Sequence, residues 1–370
     1  MQRRRFLATP LGLAASQLKG ASPESRVYAN SDGIPHSPED YARLLASLSS
    51  SGKVSADTYS LGGTVEALEA KMAALTGKET AVWLPTGTLA NHLAVRLLAG
   101  SKRRVLVQAV SHLYNDCGDC CQTLSGLTLV PVAPGKATFT AAEAQQAAKD
   151  SMSGRVEAPV GAIQIESPVR RRSGEHFDFE EMQKISAWAR GNGIGLHLDG
   201  ARLFIESAYT RRPVLEYTAL FDTVYISMYK YFNAASGAIL AGPKALLANL
   251  YHTRRMFGGG LYHVWPFAAV ALHYIDGFEQ RMHAAVENSE RVLAGLGRDE
   301  RFEVERVPNG TNIFRLGPKN VDLPAYVKRL DSAGISVPAA AGSSLTVLVN
   351  ETWGRVPAEQ IVERFRRALG

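Results

Sequence analysis

Short apolar runs separated by amphipathic stretches recur along the first two thirds of the chain. Thr80-Ala-Val-Trp-Leu84, Val105-Leu-Val-Gln-Ala-Val110, Leu127-Thr-Leu-Val-Pro-Val132, Gly161-Ala-Ile-Gln-Ile-Glu166, Ile194-Gly-Leu-His-Leu198 and Thr223-Val-Tyr-Ile-Ser227 have the length and flanks of strands. Helical spacings lie between several of them. Val65, Leu68, Met72 and Leu75 form a core stripe that Gly77 ends, and a helix is expected from the Pro85-Thr-Gly-Thr88 turn through Leu98. Asp178-Phe-Glu-Glu181 reads as a capping box for the helix before the Ile194 run. This alternation predicts an α/β fold with a mostly parallel sheet covered by helices on both faces. Beyond Gly260 the pattern changes. Trp265 to about Leu296 reads as one long helical connector, followed by strands at Phe302-Glu-Val-Glu-Arg-Val307 and Asn312-Ile-Phe-Arg-Leu316. Helices near Ala325 to Ala333 and Ala358 to Leu369 complete a smaller α+β domain that closes over the first.

Composition narrows this little. At 370 residues, 46% hydrophobic and 21% charged, the chain is long enough for one large core and a second, smaller domain. The net charge of +6 could suggest nucleic acid, but Lys and Arg are spread along the chain without a binding motif, so the charge reads as solvated surface. The N-terminus stands apart. Gln2-Arg-Arg-Arg-Phe-Leu7 and the weakly apolar Ala8 to Leu18 fit a twin-arginine export leader, too short to span a membrane; a basic frayed terminus is the alternative. The expected divisions are a leader over residues 1–28, an arm over 29–60, a large domain over 61–264 and a small one over 265–370. Cys117, Cys120 and Cys121 crowd together. A Cys117–Cys120 disulfide or half a metal site is conceivable, no second half of a metal site is visible, and partly buried thiols are the plainer reading.

The candidate chemistry sits at two strand ends. The Ile194 run ends at Asp199 and the Thr223 run just before Lys230, where open α/β sheets place their ligands. A strand-end Asp alone is usually a cap, and a lone Lys is usually solvated. Together they match pyridoxal phosphate (PLP) chemistry, which needs a lysine to carry the aldehyde and a carboxylate to keep the pyridine nitrogen protonated. Thr86, Gly87 and Thr88 open a helix with free N–H groups, as a phosphate requires.

The chain resembles the threonine aldolases of the β-eliminating lyase group, with the aspartate-aminotransferase-like fold (fold type I). The motifs Asp57-Thr-Tyr-Ser-Leu-Gly-Gly-Thr-Val, Gly77-Lys-Glu, Leu84-Pro-Thr-Gly-Thr-Leu-Ala-Asn91, Ser111-His112, Leu196-His-Leu-Asp-Gly-Ala-Arg-Leu-Phe204, Lys230 and Gly258-Gly-Gly260 occur in that family's order. The resemblance implies a seven-stranded, mostly parallel sheet in the large domain, and a homodimer or dimer of dimers. It also implies PLP on Lys230, with Asp199 at the pyridine nitrogen and His112 stacked on the ring. Thr86, Gly87, Thr88 and Ser227 would complete the cofactor contacts. Arg202 would grip the substrate carboxylate through its planar fork, helped by Ser31 in the arm.

Departures from the family pattern concern the substrate. Val169 stands where the family has a histidine near the substrate hydroxyl, Tyr262 where an arginine approaches the phosphate, and Thr346 near the place of a carboxylate-binding arginine. Arg170 and Arg171 could replace the lost charge, and Tyr229, Tyr262 or His263 a lost polar contact. The expected activity is Cα–Cβ cleavage of a β-hydroxy amino acid to glycine and an aldehyde. β-Elimination or racemisation of another amine is the first alternative, and a catalytically quiet PLP-binding protein the second. No nucleic-acid partner or stable membrane association is expected.

Overall fold

The computed structural model describes residues 25–339 and 342–370, so the leader reading over Gln2 to Leu18 lies outside the described residues. Twelve strands are present among them. They are β1 (Val27–Tyr28), β2 (Thr80–Leu84), β3 (Arg104–Gln108), β4 (Thr128–Val132), β5 (Val160–Glu166), β6 (Gly195–Asp199), β7 (Thr223–Ser227), β8 (Ala238–Gly242), β9 (Phe302–Arg306), β10 (Ile313–Pro318), β11 (Ile335–Ser336) and β12 (Leu345–Leu348).

Seven strands form the central sheet in the order β2-β8-β7-β6-β5-β3-β4. β7, β6, β5, β3 and β4 run parallel, while β8 is antiparallel to both β2 and β7. β5, β7 and β8 are buried along their whole length, which is why they read as continuous apolar runs rather than alternating ones. The sequence located six of the seven strands. The seventh, Ala238–Gly242, is the antiparallel insertion between β2 and β7.

Parallel pairing brings the chemistry to one edge. Register sets Glu166, the last residue of β5, opposite Asp199, the last of β6, and Asp199 opposite Tyr225 in the middle of β7. The helix Gly87–Ala99 begins at the same edge after β2, with Thr86 as its N-cap accepting from the Leu89 amide at 3.2 Å.

Two helix expectations need correction. The connector is two helices, Trp265–Ile275 and Phe278–Gly297, because Gly277 at φ 69° breaks the run. The capping box at Asp178 is only half formed. Asp178 accepts from the Glu181 amide at 2.9 Å, but Glu181 turns away to accept from Ala141 N at 2.7 Å and to pair with Lys184. A complete box forms instead at Thr140 and Glu143.

The C-terminal region carries the antiparallel sheet β12-β10-β9, flanked by Phe278–Gly297 and Ala358–Arg367. The arm ties the two regions together. β1 pairs in parallel with β11, and Asp57 accepts from Val264 N and Trp265 N at 2.8 Å each, closing the start of the Trp265 helix. Among the described residues no helix is long and apolar enough to cross a membrane.

Candidate active site

The strand ends, the Thr86 turn and the arm enclose a cavity of about 840 Å³. Thr86, Gly87, Thr88, His112, Asp199, Arg202 and Lys230 all line it, as do Ser31 and Arg170. Ser227 and Tyr262 do not. Ser227 is fully buried at the end of β7, and Tyr262 is 58% exposed on the outer surface, edge-on to the Tyr59 ring at 5.2 Å.

Asp199 is held from behind. Its Oδ2 accepts from Asn91 Nδ2 at 2.6 Å and its Oδ1 from Ala201 N at 3.2 Å. Because the Asn91 amide must turn its NH₂ to the carboxylate, its Oδ1 faces His197 Nε2 at 2.8 Å, and that nitrogen is the donor. His197 Nδ1 then meets Thr223 Oγ1 at 2.8 Å. Burial pushes the His197 imidazole down to about 4, so the ring is neutral and the chain of bonds carries no second positive charge. The whole relay is buried, and it leaves Asp199 with an N–H donor on each carboxylate oxygen.

Lys230 is half-buried at the cavity, its amine 5.4 Å from the Tyr229 ring centre and 6.0 Å from that of Tyr225. Burial first, then the nearby Arg202 guanidinium, lower its amine to about 8. The arm passes directly over it: a Cβ on Gly33 would lie 2.2 Å from the Lys230 carbonyl oxygen, so only glycine permits this approach. Asn233 fixes the crossing by accepting from Ile34 N at 2.7 Å. Ser31 Oγ donates to Gly33 O at 2.6 Å, so its hydroxyl helps shape the arm.

Arg202 begins the turn after β6. Its Nε donates to Asp32 Oδ2 at 2.8 Å, and Asp32 Oδ1 accepts from Asn312 Nδ2 at 3.2 Å. The guanidinium is thus clamped along one edge between the arm and the C-terminal sheet. Gly87 is equally constrained, since a Cβ there would fall 2.1 Å from Tyr225 Oη. The first N–H groups of its helix have no intrahelical acceptor and meet the cavity wall with the positive end of the helix dipole.

Glu166 is the acid that sequence reasoning passed over. It is 4% exposed, and its two oxygens accept from His112 N at 2.6 Å and Arg170 N at 2.9 Å. Burial and the facing Asp199 push its carboxyl up to about 7, against the pull of those amides. Asn91, His197, Asp32 and Asn312 were also missed, although the first three stand inside or beside the quoted motifs. Their signal was a polar side chain in an apolar context, which pairing alone explains.

Two replacement positions shift. Val169 is fully buried and absent from the cavity wall; its neighbour Arg170, 60% exposed, faces the opening. Arg171 is turned away and grips Asp116 with two bonds at 2.7 and 3.2 Å. On β12 it is Leu348 that reaches the cavity, while Thr346, two residues earlier on the same face, is exposed and does not line it.

The donor set fits PLP: a buried carboxylate backed by a hydrogen-bonded relay, a low-pKa amine, a helix N-terminus and an imidazole share one cavity. Residues 51–316 match the beta-eliminating lyase family. The chain is 30% identical over 221 residues to the low-specificity L-threonine aldolase of Candida albicans, covering 59% of this chain and 58% of that one. It is 29% identical over 199 residues to alanine racemase TOXG of Cochliobolus carbonum, covering 54% and 50%. The matches span 54–60% of the length of the first curated relatives. A solved structure of a proposed L-allo-threonine aldolase from Listeria monocytogenes EGD-E superposes with a TM-score of 0.76 at 26% identity, covering 94% of this chain and 96% of that one. The fold is that of the PLP-dependent fold type I enzymes, and the chain belongs to the beta-eliminating lyase family.

Proposed function

We propose that the protein is a PLP-dependent lyase that cleaves the Cα–Cβ bond of a β-hydroxy amino acid, releasing an aldehyde and leaving glycine. The observation that carries this reading is a buried carboxylate and a half-buried amine on one cavity, the first held by the Asn91 amide and the second easily deprotonated. Membership of the family, and the threonine aldolase among its relatives, support it.

When bound, PLP supplies an aldehyde for an amine and a protonated pyridine ring that accepts the electron pair of a breaking bond at Cα. Lys230 would hold the aldehyde, Asp199 the pyridine nitrogen, Thr86, Gly87 and Thr88 the phosphate, and His112 the ring face. Arg202 has its Nε committed to Asp32, which leaves the other guanidinium edge for the substrate carboxylate. The arm over Lys230 keeps water from that side. Two groups change protonation near neutrality: Lys230 at about 8 and Glu166 at about 7. Either can take the hydroxyl proton without a histidine at position 169.

The test is aldehyde release from L-threonine and L-phenylserine by the PLP-loaded protein, with Lys230→Ala as control. Lysine-dependent release is expected. No release from a protein whose Lys230 still binds PLP overturns the reading. A second reading, racemisation or β-elimination of another amino acid, draws on Leu348 at the cavity wall and on the racemase relative. D-Alanine formed from L-alanine without aldehyde release would establish it.

The domain divisions at residues 29, 61 and 265 remain part of this reading. So does a homodimer or dimer of dimers, which the exposed Leu61, Met256 and Tyr262 side chains support and light scattering tests. Export through a twin-arginine leader is the proposed route to the periplasm. Fractionation of cells expressing the chain with Arg3 and Arg4 changed to Lys checks it.

A further inference from the structure

The three cysteines stand against the cavity wall rather than apart from it. Cys117 Sγ lies 3.3 Å from His112 Nδ1 and 3.9 Å from Thr88 Oγ1, so one sulfur touches both the ring-facing imidazole and the phosphate turn. The chain then reverses. Cys120 N donates to Cys117 O at 3.3 Å, with Gly118 at φ 57° and Asp119 at φ 53°. A reverse turn closed in this way holds its outer Cα atoms within about 7 Å. A disulfide needs about 4.4–6.8 Å. The thiols are neighbours: Cys117 and Cys121 are the groups that act most strongly on Cys120. Cys120 is partly exposed, whereas Cys117 and Cys121 are buried.

We propose that Cys117 and Cys120 are a reversible disulfide site, and that closing it removes the partner of His112 Nδ1. The accessible sulfur is also the activated one. S–H donation from Cys117 and Cys121 lowers the Cys120 thiol, while Cys120 and burial raise Cys117, so Cys120 is the thiolate that meets the oxidant.

A hydroperoxide balances the step. The Cys120 thiolate attacks one peroxide oxygen, the O–O bond breaks, and the departing hydroxide takes a proton to leave as water. Cys117 sulfur then attacks the Cys120 sulfenic sulfur; the S–S bond forms, the S–O bond breaks, and a second water carries off the Cys117 proton. Two thiols lose two electrons in all, and one peroxide becomes two waters. A bridged sulfur carries no proton and is a weak acceptor, so His112 keeps its backbone bond to Glu166 but loses the contact that fixes its ring.

The bridge itself is independent of the lyase reading; its effect on cofactor binding rests on that reading. The experiment treats the full chain with hydrogen peroxide, removes the oxidant, and counts free thiols in denaturant. Three thiols should fall to one, peptide mapping should show Cys117 joined to Cys120, and dithiothreitol should restore three. The ¹⁵N signals of the His112 ring should shift on oxidation, and PLP affinity should weaken roughly tenfold, as loss of one hydrogen bond implies. Cys120→Ser should abolish all these responses, and Cys121→Ser should keep them. Three thiols remaining after peroxide, a Cys120–Cys121 bridge, or a mapped Cys117–Cys120 bridge with unmoved His112 signals would each overturn the proposal. Failure of the reduced protein to bind PLP at all would instead strike the lyase reading, and the thiol count and ¹⁵N signals would still decide this one.

Discussion

The floor of the cavity and its rim are built to different standards. At the floor, Asp199, Asn91, His197 and Thr223 are buried and joined in one run of hydrogen bonds, each polar group answered by another. At the rim, Arg170 is largely exposed, its only ion-pair contact among the described residues a distant 3.9 Å approach to Asp116, and Leu348 and Tyr229 present apolar or aromatic surface. A buried polar network admits few changes, because leaving any member unpaired costs about 1–3 kcal/mol. A solvated rim admits many. Asp199, Asn91 and His197, all inside the quoted motifs, make up the floor, while the three positions that depart from the family pattern, Val169, Tyr262 and Thr346, lie off the cavity wall.

The comparison can be broken most directly from the floor. Asp199→Ala should lower aldehyde release at least ~100-fold, the scale of removing one preorganised charge partner, with kcat as the measurement. Asn91→Ala should reduce kcat about tenfold while leaving the cavity open, because Asp199 keeps only its Ala201 amide bond. A clear loss from Asn91→Ala, smaller than that from Asp199→Ala, would tie the relay to the carboxylate; an unaffected Asn91→Ala enzyme would remove the relay from the argument.

Between floor and rim lies Lys230. Since burial and Arg202 bring its amine from 10.5 to about 8, the rate of PLP capture should rise with pH as the neutral amine forms and level off above about 8. Stopped-flow absorbance measures this, and a rise continuing toward pH 10 would show an ordinary solvated lysine. At the rim, Arg170→Ala should change KM several-fold with kcat nearly constant, because an exposed guanidinium supplies binding more than transition-state stabilisation. Steady-state kinetics separates the two, and a fall in kcat as large as that from Asn91→Ala would erase the contrast between the regions.

The smallest effect concerns stability behind the floor. Glu206 is fully buried on the helix that follows Arg202, and desolvation raises its carboxyl from 4.5 to about 8, partly opposed by Ser167 and Tyr217. The folded chain therefore keeps a proton that the unfolded chain releases, so this group's contribution to stability falls as pH rises from about 4.5 to 8 and is flat above. Glu206→Gln should remove that slope. The variant's Tm should exceed the wild type's by several degrees at pH 8 and by little at pH 5, as read by calorimetry.

What was legible in the sequence follows the same division. Strand runs such as Thr223–Ser227 announced themselves because a strand buried on both faces needs unbroken apolar residues, and Asp199 and Lys230 stood out as the polar residues that end or follow such runs. Ala238–Gly242 is as apolar as its neighbours, but a short antiparallel return follows Lys230 without an intervening helix and breaks the expected alternation. Asn91 and His197 lie on a helix and a strand that sequence places 106 positions apart, so their bond is visible only once the helix packs on the sheet. At the rim, the resemblance set position 169 near the substrate hydroxyl. The backbone instead buries Val169 and turns Arg170 outward, a choice of facing that a loop sequence does not encode periodically.

The clamp on Arg202 also bears on the order in which the protein becomes competent during its own synthesis. Asp32 is made early, Arg202 and Lys230 midway, and Asn312 only late, 280 positions after the aspartate it holds. A nascent chain that already carries Asp199 and Lys230 still lacks the amide that holds Asp32 against Arg202. The clamp on Arg202 is thus the last of these features the emerging polypeptide completes, and a product truncated before residue 312 would carry Asp199 and Lys230 without the amide that steadies Asp32.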